Sequence, residues 1–410
     1  MAMSGAPHLL SVPEALGRIA ASITKLDYET IDLESALGRV LAKPVISARA
    51  VPPFRASAMD GYAIRQVDAP GCPRVVGAST AGDPFRGQLD ADQAVRIFTG
   101  AALPAGADWV VPQEQIQVRG NRIEVGPPGE KSNVRPLAGD YEAGAVILQS
   151  GLRLDSVALT AAATAGGRSV RVARGPRVSI LTLGNELVAP GGSPRPDQIF
   201  DSVSFGITGL VQEWGGFVRR TAPAPDDLIL VANRAEDALD GADLLIVIGG
   251  ASVGDHDFAR GALVRIGMEL IVDGVRIRPG KPFWFGRANG CLVLGLPGNP
   301  AAALVCAFLL LEPLMGGLQG ISAMGATWPA VLEGELPAPG DWTHCLRGSW
   351  GISQGGKVFA RPAPSQDTSL VSVFQQGNAL IIRRPGDSPA PPGGIVEIKP
   401  FRPPTHWLQS

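Results

Sequence analysis

The stretch Asp243-Leu-Leu-Ile-Val-Ile-Gly249-Gly-Ala-Ser-Val-Gly254-Asp-His-Asp257 decides how this chain is read. Its apolar run has the length and β-branched content of a strand buried on both faces. The glycines that follow let backbone N–H groups approach an anion with no Cβ in the way. Downstream lie Arg278-Pro-Gly-Lys281-Pro282 and Gly295-Leu-Pro297-Gly298-Asn299-Pro300. The cations Arg278 and Lys281 suit the same anion. The carboxylates Asp255 and Asp257 suit it only with a divalent metal or a water between. Together these segments point to a phosphate- or oxyanion-bearing ligand handled with a metal ion.

Outward from this stretch the pattern is strand, loop, helix. Arg177 to Leu183 reads as a strand, followed by Gly184-Asn-Glu186-Leu. Gln198-Ile-Phe-Asp201-Ser202 opens a helix to about Trp214, with Asp201 placed as its N-cap. A strand at Phe217 to Thr221, a helix at Leu228 to Leu239 and a helix from about Phe258 to Ile266 follow. Cys291 to Leu296 is a last buried strand. Asn299 and Pro300 are an N-cap and a first-turn proline for an apolar helix, Ala301 to Leu311. Strands alternating with helices predict a doubly wound, mostly parallel sheet, with the ligand off its C-terminal strand ends. Glu186, Gly249 to Asp257 and Gly295 to Asn299 all fall there.

The N-terminal half has another texture. Ser11 to Leu41 reads as two helices, the first opened by the capping-box pattern Ser11-x-x-Glu14 and the second near Asp32 to Leu41. From Pro44 to about Gly144 short apolar runs (Ala94 to Phe98, Trp109 to Val111, Ile123 to Val125) alternate with Pro and Gly, as in a small β domain. Ser156 to Thr164 is helical and returns the chain to the first domain, so the β segment is an insertion. After Gly325 the helices stop, and short strands to Ser410 predict a C-terminal β barrel. The predicted class is multidomain α/β. Its parts are residues 7–50 plus 145–175, an inserted β domain at 51–144, the α/β domain at 176–326 and the barrel at 327–410.

Composition sets limits. The 36 Lys and Arg balance 38 Asp and Glu, which argues against a nucleic-acid binder driven by bulk charge. The 4 cysteines form no C-x-x-C pair and fit a reducing compartment. The first residues lack a basic segment and an apolar core, so no signal peptide is read. The run Ala301 to Leu311 is too short to span a bilayer and ends at Glu312. These features predict a cytoplasmic protein with no membrane partner.

Eight segments carry a resemblance. They are Ser57-Ala-Met-Asp60-Gly-Tyr-Ala63; Phe98-Thr99-Gly-Ala101 with Gln113-Glu-Gln115; Asn133-Val-Arg135 with Gly139-Asp140; Gly184-Asn-Glu186-Leu187; Gln198-Ile-Phe-Asp201-Ser202; Gly249 to Gly254 with Asp257; Arg278 to Pro282; and Gly295 to Pro300. In this order they resemble the molybdopterin molybdenumtransferases, the MoeA family, which includes the E domain of gephyrin. The resemblance implies a four-part homodimer whose sites are completed across subunits. It implies that adenylylated molybdopterin is bound, molybdate is delivered to its dithiolene and the adenylate is hydrolysed to AMP with Mg²⁺ assisting. It implies catalytic roles for Asp60, Asp140, Glu186, Asp257 and Lys281. It implies substrate contacts from Thr99, Arg135, Gly249, Gly250, Ser252, Gly254, Arg278, Pro297, Gly298, Asn299, Arg347 and Thr368, with Ser369 the alternative to Thr368. Metal ligands are implied among Glu186, Asp201, Asp226, Asp227 and Asp257. A molybdopterin adenylyltransferase and molybdoenzyme-maturation proteins are the implied partners.

Asn185, Leu183, Ile248 and Val203 depart from the commonest family pattern and remove hydroxyl and amide groups near the pocket. Plainer roles also stand. Asp201 reads equally as a cap, Asp60 as a turn former before Gly61, and Asp226-Asp227 as a complement to a helix dipole. Gly295 to Pro300 reads also as a strand-to-helix turn, and His256 as a solvated loop histidine. Two other functions fit parts of the pattern: a molybdopterin adenylyltransferase on the same sheet, and a non-catalytic scaffold like the gephyrin E domain.

Overall fold

The computed structural model describes residues 9–221, 223–250, 258–321 and 326–404. The chain divides into two compact units, one of Met1–Glu29, Gly38–Ala42 and Val172–Ser410, the other of Thr30–Leu37 and Lys43–Arg171.

In the first unit, six strands build one sheet: β1 (Arg177–Thr182), β2 (Phe217–Arg220), β3 (Leu244–Ile248), β4 (Glu269–Asp273), β5 (Trp284–Ala288) and β6 (Cys291–Leu296). Their order is β2-β1-β3-β6-β5-β4. The first four are parallel; β5 runs antiparallel to β6, and β4 antiparallel to β5. Alternation along the strands explains the two covered faces. Val178, Ile180, Leu244, Ile246 and Ile248 pack with Ile207, Val211, Val305 and Leu310 on one side. Leu181, Leu245 and Val247 pack with Val231, Ala235, Ala262 and Leu263 on the other. A strand that buries both faces has no polar position to spare, which is why β3 reads as an unbroken apolar run.

The helices follow the sequence closely. Val12–Ser22 carries the expected capping box: Glu14 Oε2 accepts from the Ser11 N–H at 2.7 Å, and Ser11 Oγ accepts from the Glu14 N–H at 3.4 Å. Leu228–Leu239 is capped by Asp227, whose Oδ1 accepts from the N–H groups of Ile229 and Leu230, both at 2.9 Å. The helix opened by Pro300 runs beyond Leu311 to Leu318, with a π segment over Ala307–Leu311. Pro313 lacks the N–H that would close an α turn onto Leu309, and the widened segment accommodates that loss. This 19-residue helix has a mean hydropathy of 2.0, enough by length and composition to cross a membrane, but 67% of it is buried. Its apolar surface is spent on the protein core.

A barrel completes this unit. Trp328–Leu332, Thr343–Ile352, Val358–Pro362, Ala379–Arg383 and Ile395–Pro400 close into a ring, because Thr343–Ile352 pairs with both Val358–Pro362 and Ala379–Arg383. Its interior holds Leu332, Trp350, Ala360, Ile381 and Ile398. Closure leaves these five strands with no free edge. A short helix, Val371–Gln376, lies between two barrel strands, so helices do not stop after Gly325.

The second unit holds another six-stranded sheet, ordered Trp109–Pro112, Gly61–Ile64, Gln93–Ile97, Arg74–Ser79, Arg122–Glu124 and Gln117–Arg119. The helix Ser156–Thr164 falls where expected, with Asp155 as its cap.

Two further expectations are corrected. Asp32 to Leu41 is not a helix; only Leu33–Ser35 forms a 3-10 turn. Leu37 is 65% exposed, and Gly38 has φ +75°, so the helical spacing there did not mark a buried face. Gln198 to Phe200 does not begin the next helix either. Ile199–Phe200 pairs in parallel with Leu187–Val188, and the helix spans Val203–Glu213.

Candidate functional site

Strands β1, β3 and β6 run parallel and end on one side of the sheet. There the first unit holds a cavity of about 790 Å³. Its floor is made by Thr182 to Gly184, Ile248 to Gly250 and Pro297 to Asn299, and its walls include Glu186, Phe200, Asp201, Asp226 and Ser369. The glycines are there because the backbones approach closely. A Cβ on Gly249 would lie 2.6 Å from the Leu183 carbonyl oxygen, and one on Gly250 would lie 2.9 Å from Leu183 Cδ1. Both have positive φ, +85° and +64°, which an L side chain rarely adopts. The Gly249 N–H donates to the Leu296 carbonyl at 3.1 Å, so that amide serves the sheet. Ser252, Gly254, Asp257 and His256 lie outside the described residues.

The carboxylates sort by environment. Glu186 and Asp226 both line the cavity. The Asp226 N–H donates to Asn185 Oδ1 at 3.2 Å. A carboxylate at position 185 could accept the same bond, so this departure keeps the acceptor that sets the Asp226 loop. Asp201 also lines the cavity but is only 6% exposed. Its oxygens accept from the Ser204 N–H (3.2 Å), the Ser204 hydroxyl (2.6 Å) and the Thr182 hydroxyl (3.4 Å). It therefore binds the first turn of Val203–Glu213, as a cap does. Asp227 is turned to the helix it caps and is not part of the cavity lining. Of the other departures, Leu183, Ile248 and Val203 are buried apolar side chains that also line the cavity.

The expected cations Arg278 and Lys281 are not among the residues that line the cavity. Arg278 and Lys281 are exposed, and neither pairs with a described carboxylate. The Arg278 guanidinium lies over the Trp342 ring, 4.6 Å from its centroid. Pro282, the next residue after Lys281, lines the cavity. Arg347 is 1% exposed, and burial pushes its guanidinium below the ordinary arginine range. Its Nη2 donates to the Asp367 carbonyl at 3.1 Å, and its Nε is buried without a partner among the described residues.

Asn299 precedes the helix as expected, yet its side chain makes no capping bond. Its Nδ2 donates instead to Thr368 Oγ1 at 3.2 Å. Thr368 thus touches the edge of the site through Asn299, whereas Ser369 lines the cavity itself. Gln366 and Asp367, which hold this loop, were not foreseen. The visible signal was a polar run, Ser365 to Ser369, ahead of a short apolar turn.

Four predicted residues belong to the second unit. Asp60 Oδ1 accepts from the Thr99 N–H at 2.8 Å and the Thr99 hydroxyl at 2.7 Å. These bonds, with Arg96 nearby, hold the Asp60 carboxyl below the usual range. The Ala58 N–H donates to the Asn133 carbonyl, and Arg135 is paired with Ala56. Asp60, Thr99 and Arg135 are thereby gathered on neighbouring segments. Asp140 is exposed, its N–H bonded to the Val51 carbonyl.

Comparison with known proteins covers nearly the whole chain. Residues 10–166 match the MoeA N-terminal region (domains I and II), 179–316 a probable molybdopterin-binding domain, and 329–401 the MoeA C-terminal region (domain IV). The molybdopterin molybdenumtransferase of Haemophilus influenzae is 33% identical over 91% of this chain and 94% of its own length. That of a Nostoc species is 34% identical over 88% of this chain and 86% of its own. The crystal structure of a molybdopterin biosynthesis MoeA protein from Pyrococcus horikoshii superposes with a TM-score of 0.82 at 27% identity, covering 96% of this chain and all of that one.

Proposed function

The chain belongs to the MoeA family, and we propose from that premise that it inserts molybdate into the dithiolene of adenylylated molybdopterin and hydrolyses the adenylate to AMP. The observation that carries this reading is the cavity of about 790 Å³ where three parallel strands end, with Glu186 and Asp226 on its wall over a glycine floor. Such a volume is in the range of small-molecule sites. Its place off the carboxyl ends of the strands is where open α/β sheets bind ligands.

The residues divide the work as follows. The close backbones at Gly249, Gly250 and Gly298 leave room for a phosphoanhydride without a side chain intruding. Arg278 and Lys281 sit in a loop that ends at the cavity and draw the molybdate dianion toward it. Arg347, buried at a cost that lowers its proton affinity, anchors the barrel loop that forms one wall. Asp257 and Asp140 carry roles that rest on the family resemblance.

Among the described residues, no group of three or more Asp, Glu, His or Cys is arranged to hold a metal. Two carboxylates on one wall do fit Mg²⁺, which takes one or two carboxylates and completes its shell with water and substrate phosphate oxygens. Glu186 and Asp226 would hold it, and it would polarise the phosphoryl group. In this reading Glu186, on the cavity lining, also orients a water for attack. Homodimerisation and a cytoplasmic location go with this reading.

The experiment is AMP release from adenylylated molybdopterin with Mg²⁺, with and without molybdate. Molybdate-dependent release supports the proposal; no release from folded protein that binds the pterin would refute it.

A further inference from the structure

In the second unit, the segments that carry Asp60 and Thr99 meet on one arginine. The strands Gln93–Ile97 and Gly61–Ile64 are antiparallel neighbours, and Tyr62 lies opposite Arg96. Across the next pairing Pro112 lies opposite Gly61, which brings Gln113 beside Asp60. The Arg96 guanidinium sits 4.9 Å from the centroid of the Tyr62 ring and 5.0 Å from that of Phe98. Its Nη2 donates to Gln113 Oε1 at 2.6 Å, and its Nη1 to the Gly61 carbonyl at 3.3 Å. One planar cation thus bridges three chain segments, which a guanidinium does through its fork of donors and its flat faces.

Each of those segments holds Asp60. Gly61 follows it in the chain, and a Cβ there would lie 2.0 Å from the Val111 carbonyl oxygen, so its backbone lies close against the neighbouring strand. Phe98 precedes Thr99, whose N–H and hydroxyl both donate to Asp60 Oδ1. Gln113 donates its own N–H to the Asp60 carbonyl at 3.1 Å. The Gln113 side chain is oriented as well: its Oε1 is taken by Arg96, and its Nε2 donates to Glu114 Oε1 at 3.2 Å. The two Thr99 bonds share Oδ1, which leaves Asp60 Oδ2 for other donors. The turn before Asp60 is partly open to solvent, with Met59 43% exposed, so these ties and not burial fix the carboxylate.

We propose that Arg96 is a positioning residue for the Asp60–Thr99 pair: it clamps the three segments on which the pair sits and so sets where the Asp60 carboxylate points. This inference rests on the proposed reaction and on the resemblance that gives Asp60 and Thr99 a part in it. Charge alone is not what the clamp supplies. A lysine would keep the positive charge, yet a single ammonium cannot pack on two rings while bonding both Gln113 and Gly61. A misplacement of about 1 Å is enough to cost on the order of 10²-fold in rate. A side chain that never meets the substrate can therefore govern the reaction.

The test uses the full chain as Arg96→Lys, Arg96→Met, Gln113→Leu, Asp60→Asn and the double Arg96→Lys/Asp60→Asn. One readout is hydrogen exchange of the Thr99 amide, which reports its bond to Asp60 with no substrate present. The other is AMP release from adenylylated molybdopterin with Mg²⁺ and molybdate. In both Arg96 variants the Thr99 amide should exchange about tenfold faster. Their kcat should fall by about 10²-fold with KM retained. Gln113→Leu cuts one tie and leaves Arg96 on its rings, so it should show the same two changes at about threefold. In the Asp60→Asn background Arg96→Lys should add no more than about twofold, because both changes act through one carboxylate. Wild-type kcat and exchange in Arg96→Lys, additive losses in the double variant, or a raised KM at constant kcat would overturn the inference. The last of these would make Arg96 a direct contact to substrate charge. If the Arg96 variants do not fold, wild-type behaviour of Gln113→Leu overturns the inference and its predicted losses support it. Wild type that releases no AMP, with Thr99 exchange still faster in Arg96→Lys, would overturn the reading of the reaction and leave the clamp standing.

Discussion

The carboxylate of Glu186 rests against the α-carbon of Gly184: a Cβ built on that glycine would lie 2.7 Å from Oε1 and 2.8 Å from Oε2. Gly184 also has φ +148°, a conformation that L side chains rarely adopt. Glycine here makes the space that an acidic side chain occupies at the cavity wall. Gly184→Ala should push the Glu186 carboxylate out of place. Displacements near 1 Å at a reacting centre cost on the order of 10²-fold in rate. The expected result is AMP release reduced by about that factor, with far-UV circular dichroism unchanged. Full activity in the variant would remove Glu186 from the machinery.

Much of this arrangement was legible in the sequence, and the parts that were not share a cause. Leu228–Leu239 and Cys291–Leu296 fall where their periodicity places them, because each buries a stripe or both faces against the core. The short pairing of Ile199–Phe200 with Leu187–Val188 was not legible, since two residues carry no period. Nor were β4 and β5, whose directions depend on β5 pairing with β6 and β4 with β5. Gly295 looked like part of a ligand loop. A Cβ there would meet the Trp284 indole at 2.0 Å, so the glycine serves packing, which only the fold reveals. Asn299 was legible as a helix-start residue but not as a partner of Thr368, a residue 69 positions away. Local patterns show local elements; contacts from the barrel to the sheet need the tertiary structure.

Lys399, on the last barrel strand, pairs with Glu312 in the Pro300 helix at 2.7 Å, with side chains 5% and 20% exposed. Removing one member of such a pair leaves a buried charge unmet. Lys399→Ala should lower unfolding free energy by about 3 kcal/mol in urea titration. Lys399→Met combined with Glu312→Leu should recover much of that loss. Equal stability of Lys399→Ala and wild type would mean that Glu312 is solvated after all.

Asp243 immediately precedes β3, at the end of the sheet away from the cavity. Burial alone would raise its pKa, but two bonds from Arg174, at 2.7 and 2.8 Å, and one from the Arg177 N–H, at 2.7 Å, outweigh it and leave the carboxyl below its ordinary value. A depressed folded-state pKa gives stability that is fully present above the unfolded value, about 3.9, and is lost as pH falls through the folded value. Asp243→Asn should therefore be less stable than wild type at neutral pH. It should also lose less stability between about pH 4 and pH 2. Parallel pH profiles for the two proteins would contradict this.

The cysteines divide by burial. Cys72 is exposed, while Cys291, Cys306 and Cys345 are buried free thiols. Burial pushes Cys291 and Cys345 up to about 12 and raises Cys306 as well. The thiolate is the reactive form, so these three should be inert in the folded protein. A colorimetric thiol titration at pH 8 should find one fast-reacting cysteine in the native protein and all 4 in denaturant. Fast reaction of a second thiol would show that the core opens.

The measurement closest to the central claim is AMP release from adenylylated molybdopterin with Mg²⁺, titrating molybdate, for wild type and Glu186→Gln. The expected result is release that rises with molybdate in wild type and falls by about 10²-fold or more in the variant, with pterin affinity retained. Molybdate-independent release, or equal rates in the two proteins, would contradict the assignment of the cavity and of Glu186 to this reaction.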